Sequence, residues 1–91
     1  MSWSLVFTEQ YEKRALRFIR HHPELEKQYL KTLQLLGANP YHPSLRLHQL
    51  SGRLSGLHSV SINLSYRITL EFLINDQEII PVNVGDHDTV Y

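Results

Sequence analysis

The sequence predicts an α+β fold: an N-terminal strand, a two-helix hairpin, then a three- to four-stranded antiparallel sheet with both helices on one face. Three observations predict it. Apolar residues recur at helical spacing from Tyr11 to Leu36, the period drops to two after Pro43, and no linker or long repeat divides the chain. The 91 residues suit one domain, 1–91, with one modest core.

Trp3, Leu5 and Phe7 alternate, which favours an extended start. Thr8 is placed to cap a first helix, with Glu9 in its positive first turn. Tyr11, Ala15, Phe18, Ile19 and His22 form the inner stripe of that helix, and Lys13, Arg14, Arg17, Arg20 and His21 lie off it. Pro23 suits the first turn of a second helix with Leu25, Tyr29, Leu33 and Leu36 inside, ended by Gly37 and Pro40. Beyond Pro43 four alternating runs read as strands: Leu45 and Leu47; Val60, Ile62 and Leu64; Tyr66, Ile68, Leu70 and Phe72; Ile80, Val82 and Val84. Asn75-Asp76-Gln77 is the turn between the last two, and the glycines of Leu50-Ser51-Gly52 and Leu54-Ser55-Gly56 mark a loop. An antiparallel sheet covered on one face leaves the other to water. On the polar parity stand Arg46, His48, Ser59, Ser61, Asn63, Arg67, Thr69 and Glu71.

Composition removes several function classes. There is no cysteine, so disulfide scaffolds, cysteine–zinc sites and thiol nucleophiles are excluded. The apolar runs are too short for a membrane span and the start lacks a basic signal-peptide region, so the expectation is a soluble, cytoplasmic protein with no membrane partner. The formal net charge is zero, yet the charges are segregated. Residues 27–70 carry five bases (Lys27, Lys31, Arg46, Arg53, Arg67) and no acid, and residues 71–91 carry five acids (Glu71, Asp76, Glu78, Asp86, Asp88) and no base. Such an arrangement can create a local field despite a zero total.

Six histidines invite a metal, but no pair has the His-x-x-x-His spacing of a helical metal site, and neither a metal nor another cofactor is expected. There is no phosphate loop and no nucleophile elbow. No acid lies between Glu26 and Glu71, which speaks against paired-carboxylate chemistry. A His/Arg/Tyr set remains. Metal-free RNA cleavage needs a base for the 2′-hydroxyl proton, a cation for the phosphate, and an acid for the leaving 5′-oxygen. Histidine can fill either proton role and arginine matches phosphate geometry. A solvated, functionless face is the alternative for the same residues.

The stretches His48-Gln49-Leu50, Leu54-Ser55-Gly56-Leu57, Ser65-Tyr66-Arg67-Ile68-Thr69-Leu70 and Val84-Gly85-Asp86-His87-Asp88-Thr89-Val90-Tyr91 resemble the C-terminal half of the RelE/ParE superfamily of bacterial type II toxins. The likeness is nearest to its YafQ and YoeB branches, which cleave messenger RNA. The resemblance implies a RelE-like fold, a cognate antitoxin as partner, and action on messenger RNA at the ribosome. It implies that His48 acts as general base or positions the 2′-hydroxyl, that Arg67 stabilises the scissile phosphate, that His87 is a general acid or base, and that Tyr91 orients the RNA. Arg46 and Arg53 would hold the RNA backbone. Ser61 and Ser65 stand where YafQ-like members carry a histidine and an aspartate. Two rivals share the fold: a ParE-like inhibitor of DNA gyrase without catalysis, and a non-toxic module that only binds an antitoxin.

Overall fold

The computed structural model describes residues 3–86. Its elements are β1 (Ser4–Leu5), α1 (Glu9–His21), α2 (Glu26–Ala38), β2 (His48–Gln49), β3 (His58–Ser61), β4 (Tyr66–Leu73) and β5 (Glu78–Asp86). The strands lie in the order β1-β5-β4-β3-β2. Strands β2 to β5 are antiparallel neighbours. Strand β1 pairs parallel with β5 through Ser4↔Glu78 and Leu5↔Ile79. The antiparallel sheet expected from alternation is therefore extended by one parallel edge strand: the two helices carry the chain from β1 to β2 at the far edge, and the meander β2 to β5 returns it beside β1. No helix among the described residues is long and apolar enough to cross a membrane.

Local chemistry sets the element ends. Thr8 caps α1, its hydroxyl accepting from the Tyr11 amide at 3.1 Å. Pro23 opens a 3-10 turn, Pro23–Leu25, before α2 begins. Gly37 does not end α2; the helix runs on to Ala38 and is capped at Asn39, and the Gly37 carbonyl accepts from the Trp3 amide at 2.7 Å. The strand expected around Leu45 and Leu47 is also corrected. Pro43–Leu45 forms a 3-10 turn and Arg46 sits in the left-handed region at φ 50°, so pairing starts only at His48. Strand β3 stops at Ser61, leaving Leu64 84% exposed in the following turn. Between Gly52 and Gly56 the chain uses positive φ at both glycines, 68° and 97°, as a loop that glycine relieves.

The helical stripes and one sheet face make the core. Tyr11 and Phe18 from α1, Tyr29 and Leu36 from α2, and Val60, Ile68, Leu70, Ile79 and Val84 from the sheet pack together. Full burial of each aliphatic side chain contributes roughly 1.5–3 kcal/mol. The helices are tied by a polar contact inside this core: the Tyr11 and Tyr29 hydroxyls lie 2.8 Å apart, out of water. Burial raises the pKa of both phenols, and at Tyr11 the charge that Tyr29 would carry raises it further. Both stay neutral, and each supplies the other's partner.

Tyr29→Phe leaves the Tyr11 hydroxyl buried and unpaired, at a cost of about 1–3 kcal/mol. The double variant Tyr11→Phe/Tyr29→Phe recovers much of that loss. Urea unfolding of the three proteins checks the pair; strictly additive losses would contradict the coupling.

Candidate functional site

The face opposite the helices is set by the register of β4. Val60↔Ile68↔Val84 is a rung of buried apolar residues pointing to the helices. Side chains alternate along a strand, so the flanking rungs point the other way. The two consecutive rungs of that outward face, one on each side of the Val60 pair, are His48↔Ser59↔Thr69↔Asn83 and Ser61↔Arg67↔Gly85. His48, Ser61 and Arg67 thus share the uncovered face, as the polar parity predicts. The face is less open than alternation implies: Ser59 and Thr69 are only 0% and 2% exposed. Both are short side chains, and the Thr69 hydroxyl has no hydrogen-bond partner.

Arg67 is half-buried and held. Its Nη1 donates to the Ser61 hydroxyl across the β3–β4 pair at 3.0 Å. Glu71 is on the same strand face but two rungs away, about 13 Å along the strand. The turn that brings β3 and β4 together is built by Asn63, whose side-chain oxygen accepts from the Ser65 and Tyr66 amides at 2.8 and 2.9 Å. Ser61 and Ser65 therefore divide in role: Ser61 orients the arginine, and Ser65 belongs to the turn.

Arg46 joins Arg67 from outside the sheet. The left-handed backbone at Arg46 turns the chain at the end of the Pro43–Leu45 turn, and Arg46, Ser61, Asn63 and Arg67 line one cleft of about 230 Å³. Arg46 does not reach this place by strand parity, as the sequence suggested. Two guanidiniums around one small cleft form an anion-binding arrangement, because each offers a planar fork of donors suited to phosphate oxygens. His48 is exposed on the same face, one rung from Ser61 and Arg67. Arg53 is exposed in the 3-10 turn Gly52–Leu54 and does not line the cleft. His87 and Tyr91 lie outside the described residues.

His58 belongs to the other face. It pairs with Gln49 and Leu70, and its ring meets Phe72 edge-on with centroids 4.9 Å apart. Burial lowers its pKa, and the charge of nearby His48 lowers it further, so His58 is kept neutral. Among the described residues no three histidine, aspartate or glutamate side chains gather as a metal site.

A chain of the E. coli DinJ–YafQ toxin–antitoxin complex has the same architecture: TM-score 0.77 and 14% identity, over 100% of this chain and 99% of that one. The fold is that of the RelE/ParE toxins. A YoeB/ParE toxin from Agrobacterium tumefaciens shares this RelE/ParE fold at TM-score 0.70 and 15% identity, over 92% of this chain and 98% of that one. The toxin–antitoxin complex RelBE2 from Mycobacterium tuberculosis shares it at TM-score 0.62 and 15% identity, over 96% and 100%. No family profile and no curated protein matches the sequence.

Ser61→Ala removes the anchor of Arg67. Its guanidinium becomes mobile, seen as a fall in the heteronuclear NOE of Arg67 Nε, with a stability loss of no more than about 1.5 kcal/mol. An unchanged NOE would mean that another group holds the arginine.

Proposed function

We propose that this protein is the toxin of a type II toxin–antitoxin pair and that it cuts messenger RNA on the ribosome. The observation that carries the reading is the Arg67–Ser61 pair on the uncovered sheet face, with Arg46 across the same cleft and His48 on the adjoining rung. The similar solved structures are toxins, two of them in complexes with antitoxins, which supports a cognate antitoxin as partner.

In this reading the RNA phosphate sits between Arg67 and Arg46. His48 takes the proton of the neighbouring ribose 2′-hydroxyl. The 2′-oxygen attacks phosphorus, the bond from phosphorus to the 5′-oxygen breaks, and His87 gives a proton to that oxygen. The products are a 2′,3′-cyclic phosphate and a 5′-hydroxyl, and no metal is consumed or needed. Arg67 meets the charge that grows on the non-bridging oxygens, and Ser61 holds it there before substrate arrives. Tyr91 orients the RNA and Arg53 adds a backbone contact from its loop.

Arg67→Ala should lower cleavage by about 10²–10³-fold, the usual effect of removing one preorganised charge-stabilising donor. In cells, Arg67→Ala and His87→Gln should each abolish growth arrest while antitoxin binding persists. Pulse labelling should show protein synthesis stopping before DNA synthesis. DNA synthesis stopping first would instead favour gyrase as the target, and full toxicity of both variants would refute the assigned roles.

A further inference from the structure

A second cleft, about 350 Å³, lies between α1 and the end of β5. Small-ligand sites span roughly 300–1,000 Å³. It stands back to back with the Arg67 site. Tyr66 precedes Arg67 on β4 and so points to the opposite face, and the facing partners are Asp86 for Tyr66 and Gly85 for Arg67. Tyr66 lines this cleft and Arg67 the other, so the two clefts lie on opposite faces of the same end of β4.

Resting on the RNA-cleaving reading, we propose that this cleft holds a nucleotide of single-stranded RNA neighbouring the one at Arg67, its base against Tyr66 and His22 and its phosphate held by Arg14 and Arg17. The lining supplies both halves of a nucleotide's chemistry. Phe18, His22 and Tyr66 form a three-ring cluster with centroids 4.7–5.3 Å apart. Phe18 is buried and fixes the other two, which are half-exposed and form a stacking platform. Arg17 is exposed at the rim. Arg14 is anchored by donating from Nη1 to the Val82 carbonyl at 2.8 Å, which leaves its other donors for an anion. Asp86 is the one acid in the lining, and it already has a partner in the fold.

The same cleft is poorly suited to a protein strand. Strand β1 pairs with β5 only at Glu78 and Ile79, so the rest of that edge could take another chain. Two of its backbone groups are already occupied: the Val82 carbonyl by Arg14, and the Val84 amide by the Asn83 side chain at 2.9 Å. Edge pairing would have to break both bonds, whereas a base and phosphate need neither group.

The test uses the full chain and a fluorescent 2′-O-methyl RNA pentamer, which can bind but cannot be cleaved. Arg17→Glu should raise its Kd about tenfold and lower the slope of log K against log salt by about 0.7 for the lost phosphate contact. Tyr66→Leu should weaken binding without changing the salt slope. In amide NMR the pentamer should shift Tyr66 and Asp86 as well as Arg67. If Arg17→Glu and Tyr66→Leu bind like wild type while Arg67→Ala is weakened, the second subsite is wrong and the proposed function stands. If the pentamer binds at neither cleft, both fall. If Arg17→Glu abolishes antitoxin binding and leaves RNA binding unchanged, the cleft is a protein surface and the proposal is overturned.

Discussion

A one-residue slip of β4 against its neighbours would drive Arg67 and Thr69 toward the helices and expel Ile68 and Leu70, both fully buried, into water. That exchange is what holds the register, and the register places everything else. It aligns Arg67 with Ser61 on one side and with Gly85, which has no side chain to crowd it, on the other. It sets His48 one rung away. It also sends Tyr66 to the far face, where α1 packs over β5. The core and the candidate site are two readouts of one alternation.

Zero net charge is compatible with an RNA partner because the charges are not mixed. Arg46 and Arg67 stand around one cleft, and Arg14 and Arg17 around another at the same end of the sheet. The acids of β4 and β5 fall elsewhere, apart from Asp86. Glu71 is separated from Arg67 by two rungs. Charges closer than a Debye length, roughly 8–10 Å, set the local potential, so the chain's total is a poor guide to either cleft.

The helical stripes, the alternation of β3 and β4 and the polar parity of Arg67 and His48 were legible because each is a short-range pattern. Other features needed contacts distant in sequence. Alternation at Trp3, Leu5 and Phe7 marks an extended start, but nothing local names its partner, so the parallel pairing with β5 could not be read. Arg46 looks like a strand residue by alternation, but Pro43 and a left-handed turn move it off the sheet and bring it to Arg67 from the side. Ser61 reads as a lost proton-handling group until the β3–β4 register shows it holding the arginine. Tyr66 and His22 read as ordinary members of apolar stripes. Only the packing of α1 against the β5 edge shows that they border a cleft.

The proposed RNA cleavage at the uncovered sheet face around Arg67, by 2′-hydroxyl attack, fixes the chemistry of the fragment ends. End-group mapping of messenger RNA fragments from cells expressing the chain tests it most directly. Expected are 2′,3′-cyclic phosphate and 5′-hydroxyl ends that vanish with Arg67→Ala. Fragments ending in 3′-hydroxyl and 5′-phosphate, or an unchanged fragment pattern in Arg67→Ala cells, would contradict it.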